Sequence, residues 1–148
     1  MDVACGTGRN ALLIARMGCD VVCLDRDLGR LKVLKVRSRN SIAGSIFPLQ
    51  CVLGKDRWPF GTSTLSGIID VHFLDTSLFG DFTRSLRPGG LLLVETFGGQ
   101  GGNYLDLPRA REIRSKLRRA FDFVVYRERK VGPRGTNAAS VQVLAVKR

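Results

Sequence analysis

Apolar runs of strand length alternate with stretches of helical periodicity along most of this chain. Consecutive apolar residues, typical of strands buried in a sheet, occupy residues 20–25, 45–53, 67–74 and 91–97. Apolar residues that recur every three or four positions predict helices over residues 9–17, 28–39, 77–86 and 106–121. This alternation is typical of an α/β fold, in which helices flank a parallel sheet.

Two further signals concern the arrangement of the strands. Pro48 lies within the run 45–53 and places that strand at a sheet edge, because proline lacks the N–H that an inner strand donates. Residues 121–131 and 138–148 are strand-like runs joined by the segment GPRGTN, which is too short for a helical crossover. These two strands must therefore be antiparallel. The pattern predicts a mostly parallel sheet with one reversed strand near its C-terminal end.

The chain opens on a glycine loop, MDVACGTGRN. Its GTGRNA segment matches the G-x-G-x-x-G/A nucleotide-binding pattern, and Asp25 ends the next strand, where an acid accepts hydrogen bonds from ribose hydroxyls. A dinucleotide would place its pyrophosphate at this loop, near the negative charge of Asp2. S-adenosylmethionine would instead place an ammonium group there, which a carboxylate attracts. Asp2 therefore favours S-adenosylmethionine over a dinucleotide.

Four segments, in order along the chain, resemble motifs of the class I S-adenosylmethionine-dependent methyltransferases. The segments are DVACGTGR, CLDRD, GKDRWPF and RSLRPGGLLLVETF. The resemblance extends through essentially the whole chain and points to small bacterial-type members. It implies an α/β, Rossmann-like three-layer sandwich, with a mostly parallel seven-stranded sheet and one antiparallel strand near the C-terminus. We expect a single domain over residues 1–148, with the N-terminal helix missing and the first strand shortened.

The resemblance also implies cofactor-binding positions. These positions are Asp2, Ala4, Cys5, Gly6, Gly8, Asp25, Arg26, Asp56, Arg57, Val71 and His72. The first five would surround the methionine end of S-adenosylmethionine, and Asp25 would hold the ribose. Arg26, Asp56 and Arg57 would contact the adenine, with the Asp56 carboxylate receiving the adenine amino group. The last two positions would face the methyl group, beyond the carboxyl end of the fourth strand.

A general base is needed only if the acceptor carries a proton on the attacked atom. His72 and Asp75 are the two candidates, because both lie close to the end of the fourth strand. A structural or pocket-lining role for His72 is an alternative. Asp25 and Asp56 are similarly consistent with ordinary loop or capping acids. His72 and Asp75 both stay open as candidates for the base.

The formal net charge of +11 favours anionic partners, RNA among them. Residues 109–119, RAREIRSKLRR, contain six basic residues against Glu112 alone. This segment is either a solvated helix face or a contact for RNA or an anionic substrate. Because the sequence shows no added RNA-binding domain or zinc motif, the leading hypothesis is a small-molecule methyl acceptor. The alternatives are an RNA or protein methyltransferase and a non-catalytic nucleotide-binding domain.

The cysteines and the apolar runs indicate the compartment. Cys5, Cys19, Cys23 and Cys51 form no CxxC pair, and His72 is the only histidine, so we expect no metal site. Unpaired cysteines fit a reducing compartment. The apolar stretches are shorter than the roughly 20 residues of a membrane span, and the first residues do not resemble a signal peptide. We therefore expect no membrane association and a cytoplasmic location.

Overall fold

The computed structural model describes residues 1–39, 43–96, 107–132 and 137–148. The chain forms two compact units, Met1–Trp58 and Pro59–Arg148. Each unit contains its own strands, helices and buried apolar residues. The single-domain organisation expected from the sequence stays a prediction.

The first unit contains three parallel strands and two helices. In chain order they are β1 (Asp2–Val3), α1 (Arg9–Arg16), β2 (Val21–Asp25), α2 (Leu28–Arg37) and β3 (Ile46–Gln50). Strand β2 lies between β1 and β3, and its last residue, Asp25, pairs with Gln50. Strand β3 occupies the edge position, as Pro48 predicts. Strand β1 is only two residues long, in agreement with the expected shortening.

Helices α1 and α2 pack with β2 to form the core of the first unit. The buried cluster consists of Ala11, Leu12, Ala15, Val21, Cys23, Leu31 and Leu34. In α1, Ala11 and Leu12 come four and three positions before Ala15, and the buried residues of α2 are three positions apart, so each set lies on one helical face. Val21 and Cys23 alternate along β2 and therefore point to the same side of the sheet. The apolar periodicity of the sequence thus determines which helix faces are buried.

The second unit contains four strands with short helical segments. They are β4 (Leu65–Val71), a 3-10 turn (Thr76–Leu78), α3 (Phe79–Ser85), β5 (Leu86–Glu95), α4 (Glu112–Leu117), β6 (Phe121–Lys130) and β7 (Ala139–Lys147). Strands β4 and β5 are parallel, whereas β7 is antiparallel to both β5 and β6. The strand order in this unit is β4-β5-β7-β6. Strands β5 and β6 consequently run in the same direction, and their carboxyl ends lie at the same edge.

The described residues contain seven strands, three in the first unit and four in the second, which are mostly parallel, with antiparallel pairing at the C-terminal end. Helices flank the strands. This arrangement confirms the predicted α/β fold class. It also confirms that the short segment after β6 joins two antiparallel strands.

The predicted helix over residues 106–121 is wrong at both ends. Only Glu112–Leu117 is helical among the described residues. Arg109 forms an isolated antiparallel bridge with Ala138, and the N–H of Ala110 donates to the carbonyl oxygen of Asn137 at 2.9 Å. These bonds hold Arg109 and Ala110 beside the start of β7, outside the helix. At the other end, the fully buried Phe121 begins β6 instead of completing the helix.

The boundaries around β4 and β5 also differ from the predicted ones. The RPGG segment was expected to precede the fifth strand, but residues 87–90 belong to β5, which begins at Leu86. Strand β4 ends at Val71 and not at Leu74. The register of these two strands shifts between Leu65 and Gly67. The glycine-rich stretch GGQGG at 98–102, whose composition predicts a loop, and most of the GPRGTN segment at 132–137 lie outside the described residues.

We predict that Leu34→Ala lowers the free energy of unfolding by about 2–5 kcal/mol, because Leu34 is fully buried in the first core. The matched control is Leu28→Ala in the same helix, where the side chain is 48% exposed and the same truncation costs less than about 1 kcal/mol. Urea unfolding followed by circular dichroism measures both values. Equal losses in the two variants would contradict the assigned inner face of α2.

Candidate functional site

A tight loop connects β1 to α1 and has an unusual backbone conformation at every second residue. Ala4, Gly6 and Gly8 all have positive φ angles, of 49°, 58° and 81°. A Cβ atom placed on Gly8 would overlap with Leu34 of α2, whereas one placed on Gly6 would have no protein atom within 4 Å. Gly8 is therefore needed for close packing of loop and helix. Gly6 instead borders open space that a ligand can enter.

The carboxylate of Asp25 holds this loop at the end of β2. Its Oδ2 atom accepts the N–H of Gly6 at 2.7 Å, and its Oδ1 atom accepts the N–H of Asp27 at 2.9 Å. Asp25 is buried, and the N–H of Cys5 donates to the carbonyl oxygen of Leu24 at 2.8 Å. The glycine loop and the carboxyl end of β2 are therefore fixed to each other by both backbone and side-chain bonds.

Asp2 provides a second buried carboxylate beside the loop. Its Oδ2 atom accepts the N–H of Ala11, in the first turn of α1, at 3.0 Å. Burial raises the pKa of Asp2 to about 6, and the hydrogen bond from Ala11 opposes this rise only in part. Asp2 is therefore ionised at neutral pH and becomes protonated in mildly acidic solution.

Cys5 lies in the loop as a neutral thiol. A hydrogen bond with Cys23 and burial both raise the pKa of Cys5 far above its ordinary value. Because a thiolate is the nucleophilic form of cysteine, this environment gives Cys5 a packing role and not a nucleophilic one.

The predicted adenine-contacting residues lie after β2 and β3. The Oδ2 atom of Asp56 accepts the N–H of Val52 at 2.7 Å, so this carboxylate closes its own turn. Arg26 and Arg57 are exposed, and the carbonyl oxygen of Arg26 accepts Nε2 of Gln50 at 3.1 Å. The structure thus brings Asp2, Asp25 and the glycine loop together, with Arg26 directly after β2, while Asp56 is engaged within a separate turn.

The remaining predicted residues belong to the second unit. Val71 ends β4 and pairs with Glu95 of β5. The next residue, His72, has a positive φ of 62°, an exposed side chain, and an N–H that donates to the carbonyl oxygen of Glu95 at 2.8 Å. The Oδ1 atom of Asp75 accepts both the N–H and the hydroxyl of Ser77, at 2.9 and 2.6 Å. Asp75 therefore caps the 3-10 turn, which agrees with a structural role.

Arg37 also holds the loop, although no sequence motif indicates this role. Nη1 of Arg37, at the end of α2, donates to the carbonyl oxygen of Thr7 at 3.0 Å and to its hydroxyl oxygen at 3.2 Å. The two residues are 30 positions apart, and Arg37 lies outside the motifs found in the sequence. Only the packing of α2 against the loop identifies the contact.

The part of the chain that the structure describes shows neither a metal-binding cluster nor a helix that could span a membrane. In those residues, His, Cys, Asp and Glu side chains form no group of three or more that could hold a metal ion. None of the helices found there has the length and apolar character that crossing a membrane requires.

Comparison with known proteins agrees with this architecture. The family model described as a methyltransferase domain matches residues 1–90. No curated protein matches the chain.

Several solved structures share the fold. An S-adenosylmethionine-dependent methyltransferase from Methanosarcina mazei is 18% identical, with a TM-score of 0.73 over 99% of this chain and 90% of its own. Geranyl diphosphate C-methyltransferase from Streptomyces coelicolor, solved with Mg²⁺, geranyl diphosphate and S-adenosylhomocysteine, is 15% identical, with a TM-score of 0.76 over 99% and 69%.

TehB from Haemophilus influenzae is 17% identical, with a TM-score of 0.72 over 99% of this chain and 57% of its own. These likenesses concern the fold, whereas the family match covers more than half of the sequence. The chain belongs to the class I S-adenosylmethionine-dependent methyltransferase family.

Proposed function

We propose that this chain binds S-adenosylmethionine at the glycine loop of the first unit and transfers the methyl group to a small-molecule acceptor. The observation that carries the proposal is the pairing of the Gly6 loop with the buried Asp25 carboxylate at the end of β2. Ligands of open α/β sheets bind beyond the carboxyl ends of the strands, where this pairing lies.

The residues at the loop fit the chemistry of the cofactor. The open space beside Gly6 leaves room for a ligand against the backbone. The Asp2 carboxylate offers negative charge to an ammonium group, and its pKa of about 6 leaves it ionised at neutral pH. Asp25 has about four lone-pair sites on two oxygens, so it can accept ribose hydroxyls in addition to its two backbone donors.

Each proposed binding residue has a distinct task. Asp2, Ala4, Cys5, Gly6 and Gly8 enclose the methionine end of the cofactor. Asp25 orients the ribose, while the adenine contacts Arg26, Asp56 and Arg57. Val71 and His72 are the residues proposed to face the methyl group. When bound, S-adenosylmethionine supplies a methyl group on a positively charged sulfur atom, which an acceptor's lone pair can attack.

A proton on the acceptor would need to be removed by a base or by water. His72 is exposed and held by its backbone at the end of β4, so its imidazole is a candidate for this task. Asp75 is a weaker candidate because its Oδ1 atom already receives two hydrogen bonds from Ser77. Positioning of the acceptor remains the main contribution expected of the protein.

The proposed acceptor is a small molecule and not RNA. Support comes from the basic segment 109–119, which forms no continuous helix among the described residues. Its Arg114 guanidinium lies over the rings of Phe123 and Tyr126, at 5.4 and 5.1 Å from their centroids. The geranyl diphosphate C-methyltransferase of the same fold is itself a small-molecule enzyme. We further infer a cytoplasmic location, in keeping with the unpaired cysteines.

Asp25→Ala is expected to weaken S-adenosylhomocysteine binding about 10- to 100-fold, because it removes charge-assisted hydrogen bonds to the ribose. Isothermal titration calorimetry measures the affinity. The matched control is Asp20→Ala, which removes the same charge just before the other end of β2, where Asp20 accepts the N–H of Ser45 at 2.9 Å.

Because Asp25 also holds Gly6, thermal unfolding of both variants and of Asp25→Asn separates a binding loss from a folding loss. Unchanged affinity in a folded Asp25→Ala protein would overturn the ribose assignment. If the wild-type chain binds neither S-adenosylmethionine nor S-adenosylhomocysteine, the proposed function is wrong and the non-catalytic alternative holds.

The two loop glycines are expected to respond differently to alanine. Gly8→Ala should lower the free energy of unfolding by about 2 kcal/mol or more, because positive φ strain adds to overlap with the buried Leu34. Gly6→Ala should cost only about 1–2 kcal/mol of strain, yet place a methyl group where the cofactor binds. Urea unfolding and calorimetry with S-adenosylhomocysteine test the pair. The assignment fails if Gly6→Ala binds as well as wild type.

We also expect cofactor binding and stability to depend oppositely on pH through Asp2. Below pH 6 the Asp2 carboxylate becomes protonated, so its attraction for an ammonium group falls, by up to about tenfold per pH unit. The raised pKa makes protonation favour the folded chain, so the Asp2 contribution to stability is present below the ordinary pKa of 3.8 and is lost as pH rises through 6.

Calorimetry with S-adenosylhomocysteine and urea unfolding between pH 5 and pH 7.5 measure these two trends, with Asp2→Asn as the control that should flatten both. A wild-type affinity that does not change across this range would exclude the proposed contact between Asp2 and the ammonium group.

A further inference from the structure

A cavity of about 350 Å³ lies against the sheet of the second unit. Its lining residues come from β5, β6 and β7 and the residue that follows β5: Glu95, Thr96, Arg127, Glu128, Arg129, Ser140, Val141 and Gln142. We propose that this cavity binds the methyl acceptor, and that Arg127 and Arg129 hold an oxyanion of that molecule, a carboxylate or a phosphate. The inference rests on the proposed function and specifies its substrate class.

The two arginines are placed together by the register of the strands. Arg127 pairs with Gln142 and Arg129 with Ser140 across the antiparallel β6–β7 ladder. Alternate residues of a strand point to the same face and are about 6–7 Å apart, so these four side chains form one polar patch. Both arginines are exposed. Guanidinium groups arranged in this way can bind one oxyanion with several parallel hydrogen bonds.

These guanidinium groups are not neutralised by the carboxylates nearby. Within the described ranges, the salt bridges do not include Arg127 or Arg129. Glu128 also lines the cavity, but it lies between the two arginines in sequence, so its side chain points to the opposite face of β6. There its Oε2 atom accepts the Tyr126 hydroxyl at 2.6 Å and the N–H of Arg111 at 2.9 Å. The patch consequently keeps positive charge for a ligand.

Glu95 places a negative charge at the other side of the cavity. It lies at the end of β5, where Nε2 of Gln142 donates to its Oε1 atom at 3.3 Å. Glu95 is also paired with Val71, and its carbonyl oxygen accepts the N–H of His72. Its carboxylate is therefore at the end of the cavity nearest the residues proposed to border the methyl group.

The positive and negative ends of the cavity indicate which functional groups the acceptor carries. Strand β7 separates β5 from β6, and two strand spacings amount to about 10 Å. If the acceptor's oxyanion binds the two arginines, a second group of the same molecule about 10 Å away lies beside Glu95. The Glu95 carboxylate can accept a hydrogen bond from an O–H or N–H of that group. The expected acceptor is a small bifunctional molecule with an anionic group at one end and a hydroxyl or amine at the other.

Titration of the full chain with inorganic phosphate and with succinate tests the anion site, using calorimetry in the presence of S-adenosylhomocysteine. We expect saturable binding of at least one probe in the millimolar range, and the preferred probe distinguishes phosphate from carboxylate chemistry. Arg127→Gln and Arg129→Gln should each weaken it about tenfold. The matched control, Arg87→Gln, removes an exposed arginine near the opposite end of β5 and should leave binding unchanged.

Equal losses in Arg87→Gln and Arg127→Gln would show a general charge effect and overturn the proposal, as would the absence of saturable binding. Tighter, strongly salt-dependent binding of poly(U), reduced in Arg127→Gln, would identify an RNA surface instead. S-adenosylhomocysteine affinity is measured separately in every variant and should not change. If wild type binds the anion probes but not S-adenosylhomocysteine, the anion site exists but its role as acceptor site fails together with the proposed function.

Discussion

The hydrogen bond between the Asp25 carboxylate and the N–H of Gly6 is the contact on which the first unit's site depends. It joins the end of β2 to the glycine loop, while the second oxygen of Asp25 holds Asp27. Asp27 in turn caps α2 by accepting the N–H of Arg30. One buried carboxylate therefore sets the position of the loop and the start of α2 at the same time.

Two residues with a strained backbone directly follow a strand and belong to the proposed binding residues. Among the described residues, four non-glycine positions have positive φ, and they include Ala4 after β1 and His72 after β4. Such conformations persist where surrounding bonds determine them, and they are common at functional sites. Cys5, next to Ala4, donates to Leu24, and His72 donates to Glu95. Ala4 and His72 are thus adjacent to, or part of, a fixed backbone bond, so at these two strand ends the strain accompanies order.

The apolar pattern was sufficient to predict the fold class and most of the elements, because burial follows helical and strand periodicity directly. It failed over residues 106–121, where Phe121 fits a helical face as well as a strand and where the bridge from Arg109 to Ala138 competes with helix formation. The glycine loop and Asp25 were recognisable because their residues lie within one local motif. The cavity at Arg127 could not be recognised in the sequence, because it depends on the register of three strands that are distant in sequence.

The net charge of +11 is a poor guide to partners until each cation is assigned to its contacts. Arg114 lies over two aromatic rings and Arg37 holds Thr7, while other basic side chains have nearby acids: Arg30 with Asp27, Arg84 with Asp81, Lys116 with Glu112 and Arg148 with Asp122. Long-range attraction depends on the total charge, but specificity depends on cations held together on one surface. Arg127 and Arg129 meet that condition through strand register. Their position across a cavity from Glu95 makes this site bipolar, which favours a small bifunctional ligand over a long polyanion.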